Sequence, residues 1–185
     1  VEREEKHTPP AYGGRRMASK KTSAKGKRPR RYWLFKSEPE SYSIDQLKQD
    51  KRTFWSGVRN YQARNLLRDE ILLGDGVLFY HSNAKPMAVV GIAKVVKEGY
   101  PDPTQFDSSD HYYDESSDPA DPRWFVVDIG YVAKTQEPIT RDMMKDQGEL
   151  SDMVLLQRGS RLSVQPVEKH EWQTILKMGG LKETF

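Results

Sequence analysis

From residue 32 onward, apolar positions recur with two distinct periods. "YWLFK" at 32–36 is a continuous apolar run of strand length that stops at a basic residue. Ser43, with Gln46 three positions on, has the form of a capping box and opens a short helix through about residue 50. "TFWSG" at 53–57 predicts a brief strand or turn. Over 60–73, Ala63, Leu66, Leu67 and Ile71 fall on one helical face, and Asn60, Arg64 and Arg68 share another. "GDG" at 74–76 is a turn, and "VLFYHS" and "MAVVGIAKVV" after it read as strands, with Gly91 marking a bulge or a close approach.

"WFVVDIGYVAK" at 124–134 is a third long strand, 140–146 a helical turn or two, and "RLSVQPV" at 161–167 a last strand. "EKHEWQTILKM" then makes an amphipathic helix through Trp172, Ile175 and Leu176. Five or six strands interrupted by short helices, without regular βαβ alternation, predict an α+β domain: a small curved sheet or barrel with helices against its outside. One domain over 32–185 fits the length.

Residues 1–31 break this pattern. They hold 11 of the 30 Lys and Arg against three of the 27 acids, a local charge of +8 that leaves −5 on the remainder. With almost no aliphatic side chain they are expected to form a disordered basic tail. The acidic remainder is a poor general binder of phosphate backbones, so affinity for nucleic acid has to come from the tail or from one local site.

The absence of cysteine excludes disulfides, thiolate metal sites and cysteine nucleophiles. No apolar run approaches the roughly 20 residues of a membrane helix. The chain is therefore expected to be soluble and intracellular, cytoplasmic in a bacterium, with the nucleus open to it in a eukaryote.

Between Gly99 and the third long strand lies an aspartate-rich and proline-rich stretch of the kind that is either functional or disordered. Asp107, Asp110, Asp114, Asp118 and Asp121 do not follow a calcium-loop spacing, and no metal is expected. Tyr100, Phe106, Tyr112 and Tyr113 argue instead for an ordered flap packed on the body.

Four segments carry more polar groups than a core needs: "KSEP" at 36–39, "WSGVRNYQARN" at 55–65, "FYHSN" at 79–83 and "RGSRLSVQP" at 158–166. Each lies where a strand ends or a helix begins, where such groups can converge on one mouth. Trp55 reads most simply as a core residue, but Ser56 and Gly57 keep the backbone open beside it, leaving room for a planar ligand. Arg59, Asn60 and Gln62 read as helix-cap and surface residues, the N-cap being the favoured reading of Asn60, but they are also types that contact bases and phosphates. Within "YHSN", alternation sends two of four hydrogen-bonding side chains to each face. Ser37, Ser82, His81 and Glu38 can be drawn as a triad, but no nucleophile elbow, phosphate loop or zinc spacing accompanies them, which disfavours an enzyme.

Taken together, "YWLFKSEP", "GVRNYQARNLLRD", "LFYHSN", "VGIAKVVKEGYPDPTQFD", "DPRWFVVDIGYV" and "RGSRLSVQPV" resemble the EVE domain family over about residues 32–178. The resemblance implies a PUA-like fold, a small β-barrel flanked by short helices and related to ASCH and YTH domains. It also implies binding rather than catalysis, without a cofactor. A pocket at the barrel end would take a modified nucleobase of DNA or RNA: methylated or hydroxymethylated cytosine, or methylated adenine. The matching positions are Lys36, Ser37 and Glu38, Trp55, Arg59, Asn60 and Gln62, Tyr80, His81, Ser82 and Asn83, and Arg158 and Arg161. A general RNA-binding module indifferent to modification is the competing expectation, and a base- or nucleotide-processing enzyme a weaker one.

Overall fold

The computed structural model describes residues 28–184. Six strands, β1 (Tyr32–Ser37), β2 (Arg52–Phe54), β3 (Gly76–His81), β4 (Ala88–Pro101), β5 (Phe125–Thr140) and β6 (Val164–Val167), pair in the spatial order β2-β5-β4-β3-β1-β6. β1 and β3 run parallel, one strand in from the β6 edge, Tyr32 opposite Gly76 and Ser37 opposite His81, and the other pairings are antiparallel. The expected mixed α+β architecture is present, but the barrel is not closed. The outermost strands, β2 and β6, are the shortest, three and four residues, and each pairs on one side only.

Strict alternation along β1 and β3 buries both faces of the sheet. Trp33, Phe35, Val77 and Phe79 enter one core, which also holds Trp55 and residues of α1 (Ile44–Asp50) and α2 (Tyr61–Asn65). Tyr32, Leu34, Leu78 and Tyr80 enter a second, covered by Trp172, Ile175 and Leu176 of α4 (Lys169–Met178). By the same parity, Lys36 leaves β1 on the second face and Ser37 on the first.

Local signals hold with some changes. Ser43 accepts from the Gln46 N–H at 3.1 Å, but the Gln46 side chain turns to Asp50 at 2.9 Å, so only half of the capping box forms. Helix α2 tightens no further than Asn65, continuing as a π-helical turn over Leu66–Glu70. At Gly91 the β4–β5 register shifts, and a Cβ there would meet the Ala133 carbonyl at 2.6 Å and the Ile44 side chain at 2.9 Å. Only glycine fits this crossing. The last strand is shorter than expected, leaving residues 161–163 in a loop.

The expected disordered tail lies outside the described residues up to residue 27. Its last four residues are held on the body. Arg28 pairs with Asp75 at 2.6 Å, Arg30 with Glu183 at 2.6 Å and Arg31 with Glu70 at 2.7 Å. Among the described residues no helix is long and apolar enough to cross a membrane.

Candidate binding cavity

The C-terminal ends of β1 and β3 open into a cavity of about 680 Å³, within the range usual for small-molecule sites. The KSEP turn makes one wall. The Glu38 carbonyl accepts from the N–H groups of Ser41 (3.0 Å) and Tyr42 (2.9 Å), and the Ser37 hydroxyl donates to the Tyr42 carbonyl at 2.7 Å. This folds the chain back so that Lys36, Ser37, Glu38 and Tyr42 all border the opening. Tyr42 is fixed in turn by donating its phenol to Asp50 at 2.7 Å; burial, with that hydrogen bond second, pushes its pKa up to about 12.

Trp55 forms the floor. It is 8% exposed, with Phe35 tilted against it at 5.2 Å and Phe79 edge-on at 5.5 Å, yet it borders the cavity together with Ser56, Gly57 and Val58. Its backbone N–H donates to the Val127 carbonyl at 2.8 Å, so the segment after β2 is anchored where Trp55 meets the opening. Ser82 closes a third side, its N–H bound to the Ser37 carbonyl at 2.9 Å, and Arg161 and Ser163 of the loop before β6 make the fourth.

Six of the thirteen sequence-derived positions thus border one cavity: Lys36, Ser37, Glu38, Trp55, Ser82 and Arg161. The others lie elsewhere, each for a visible reason. Arg59 is consumed by the body: it pairs with the fully buried Asp102 at 2.8 Å, donates to Thr104 at 3.0 Å and binds the Tyr112 carbonyl. Asn60 caps α2, accepting from the N–H groups of Gln62 (2.9 Å) and Ala63 (3.1 Å), and Gln62 is exposed on that helix. Tyr80 points into the opposite core, and Asn83 sits in an exposed turn with φ of 50°. Arg158 is exposed in a turn outside the cavity.

His81 supports α1, its Nε2 accepting from the Ile44 N–H at 3.3 Å. Burial holds its pKa below the ordinary histidine value, which keeps that acceptor lone pair available. Lys36 is half-buried and donates to the Ser160 carbonyl at 3.4 Å; burial first, and the nearby Arg141 cation second, lower its pKa.

Sequence reasoning left out Ser41, Tyr42, Ser163 and Tyr112 as wall residues. Tyr112 had a signal, the aromatic content of the flap, but its partner lies more than fifty residues away. Among the described residues no group of three or more His, Asp or Glu is arranged to hold a metal ion.

Known proteins resemble this chain in sequence and in fold. Residues 31–178 match the EVE domain. Thymocyte nuclear protein 1 of Gallus gallus is 45% identical over 166 residues, 80% of this chain and 68% of that protein. A solved structure from Leishmania major superposes with a TM-score of 0.78 at 42% identity, covering 82% of this chain and 96% of the other. The structure of human THYN1 protein in complex with 5-methylcytosine-containing DNA superposes with a TM-score of 0.76 at 40% identity, covering 83% and 99%. The fold is accordingly PUA-like with an open sheet, and the chain belongs to the EVE domain family.

Proposed function

We propose that this protein is a non-enzymatic reader of nucleic acid that takes one modified base, methylated or hydroxymethylated cytosine or methylated adenine, into the cavity at the end of β1 and β3. The observation that carries the reading is that Trp55, 8% exposed and packed into the core, borders the cavity beside polar groups from three distant segments. The complex of the human relative with 5-methylcytosine-containing DNA supports the ligand class.

Extracting a base from a duplex costs a few kcal/mol and much less from a single strand. Stacking on Trp55 returns about 1–3 kcal/mol. Ser37, Glu38 and Ser82 read the base edge, Glu38 accepting from an exocyclic amine. Arg161 and Lys36 take the adjoining phosphate, because Arg59 is already committed to Asp102. Burying one methyl group contributes only about 0.8 kcal/mol, roughly fourfold in affinity. Strong discrimination therefore depends on fit within the slot. The reading implies a location with nucleic acid, the nucleus in a eukaryote and the cytoplasm in a bacterium.

The test is fluorescence anisotropy at fixed salt with single-stranded oligonucleotides of one sequence, modified or unmodified. Wild type is expected to prefer a modified strand, and Trp55→Ala to weaken binding by about 5- to 150-fold, the equivalent of 1–3 kcal/mol. Trp55→Phe, which preserves core volume better, separates lost stacking from lost folding. Equal affinity for both strands would instead favour a module indifferent to modification.

A further inference from the structure

The flap between β4 and β5 is built around Gln105, whose side chain is fully buried. Its Nε2 donates to the carbonyls of Asp102 (2.7 Å) and Trp124 (3.0 Å), and its Oε1 accepts from the N–H groups of Trp124 (2.9 Å) and Arg123 (3.2 Å). The Asp114 carboxylate adds a bond from the Trp124 indole at 2.6 Å. The flap is thereby an ordered arm, and its tip carries Tyr112 to the cavity.

Two unrelated features hold that tip. Gly57 lies directly beneath the Tyr112 ring: a Cβ on Gly57 would stand 2.6 Å from the ring, and φ of 78° also favours glycine there. The Tyr112 carbonyl is bound by Nε and Nη2 of Arg59, whose guanidinium lies 5.3 Å from the Tyr112 ring and is itself fixed by the buried Asp102. Yet the ring so held is 40% exposed and contributes little to either core. Packing does not explain why a glycine and a half-buried ion pair fix a solvent-facing tyrosine beside an indole-lined cavity.

We propose that Tyr112 is a ligand-contacting residue of this cavity, giving it a second aromatic wall for a planar heterocycle, and that Arg59 is the positioning residue that holds Tyr112 there. The assignment rests on reading the cavity as a base-binding site. It gives Arg59 an indirect role: the arginine touches the flap, and the flap touches the base.

The experiment measures binding of a single-stranded oligonucleotide containing 5-methylcytosine at fixed salt by the full chain and its variants, with thermal melting of each to confirm folding. Tyr112→Ala, which removes an exposed ring, is expected to lose about 5- to 150-fold in affinity, and Tyr112→Phe to stay near wild type because the ring is retained. Arg59→Lys keeps the charge but loses the planar fork, and is expected to weaken binding in the wild-type background but not in the Tyr112→Ala background. An equal loss in both backgrounds would overturn the positioning role of Arg59. Unchanged affinity in Tyr112→Ala alongside a large loss in Trp55→Ala would overturn the second wall while leaving the site intact. No binding by wild type, or no effect of either aromatic substitution, would overturn the cavity reading and this inference with it.

Discussion

The two ends of the parallel pair β1–β3 are built from similar residue types and treated in opposite ways. At the N-terminal end the Asp75 carboxylate, 2% exposed, is saturated: it accepts from the Trp33 indole (2.8 Å), the N–H groups of Arg31 and Leu72 (3.1 Å each) and the Arg28 guanidinium. At the C-terminal end Glu38 and Arg161 border a cavity and engage no ion pair among the described residues. A polar cluster with its hydrogen bonds complete is a fastening. One whose groups face an opening is equipped to bind.

Substituting Asp75 should give the largest effect of this comparison. Asp75→Ala leaves a buried indole N–H, two backbone N–H groups and a guanidinium without their acceptor, and a loss of about 3–5 kcal/mol is expected from the urea midpoint. A loss below 1 kcal/mol would mean that water replaces the carboxylate and that this end is not a fastening.

A smaller effect is expected at His81, beside the cavity but not on its wall. Its folded pKa lies below the unfolded value, so the unfolded chain binds the additional proton first. Stability is full above the ordinary histidine value near 6.5 and falls as pH drops through that value toward the folded one, by at most about 1.4 kcal/mol per pH unit. Below the folded value this contribution stops changing. Urea titrations across that window should show the slope in wild type and a flatter profile in His81→Gln.

The smallest stability effect belongs to Glu38. Exposed and without a side-chain partner among the described contacts, it should tolerate Glu38→Gln within about 0.5 kcal/mol. The same substitution is expected to reduce oligonucleotide affinity measurably, since a hydrogen bond to a charged group contributes about 1.5–3 kcal/mol. Stability loss without affinity loss would reverse the assignment of the two ends.

Periodicity and capping made much of the framework legible. The apolar runs "YWLFK" and "VLFYH", the caps at Ser43 and Asn60 and the crossing at Gly91 are local statements, and local geometry honours them. The site was legible as a set of segments rather than as a list of contacts. Whether Arg59 faces a ligand or the body depends on Asp102, 43 residues away, which no short-range pattern reveals. Parity sends Tyr80 and His81 to opposite faces, but only the placement of α1 and α4 decides what each face touches. Arg28–Arg31 share the composition of the tail, and it is the acceptors Asp75, Glu70 and Glu183 that assign them to the body.

The fastening of Arg28 to Asp75 also holds the cations of Arg28 and Arg31 at the N-terminal end of β1. That point and the cavity stand at opposite ends of a six-residue strand, about 20 Å apart at roughly 3.3 Å per residue. Electrostatic influence in physiological salt fades over about 8 Å, so these cations leave the cavity's own ionic balance untouched.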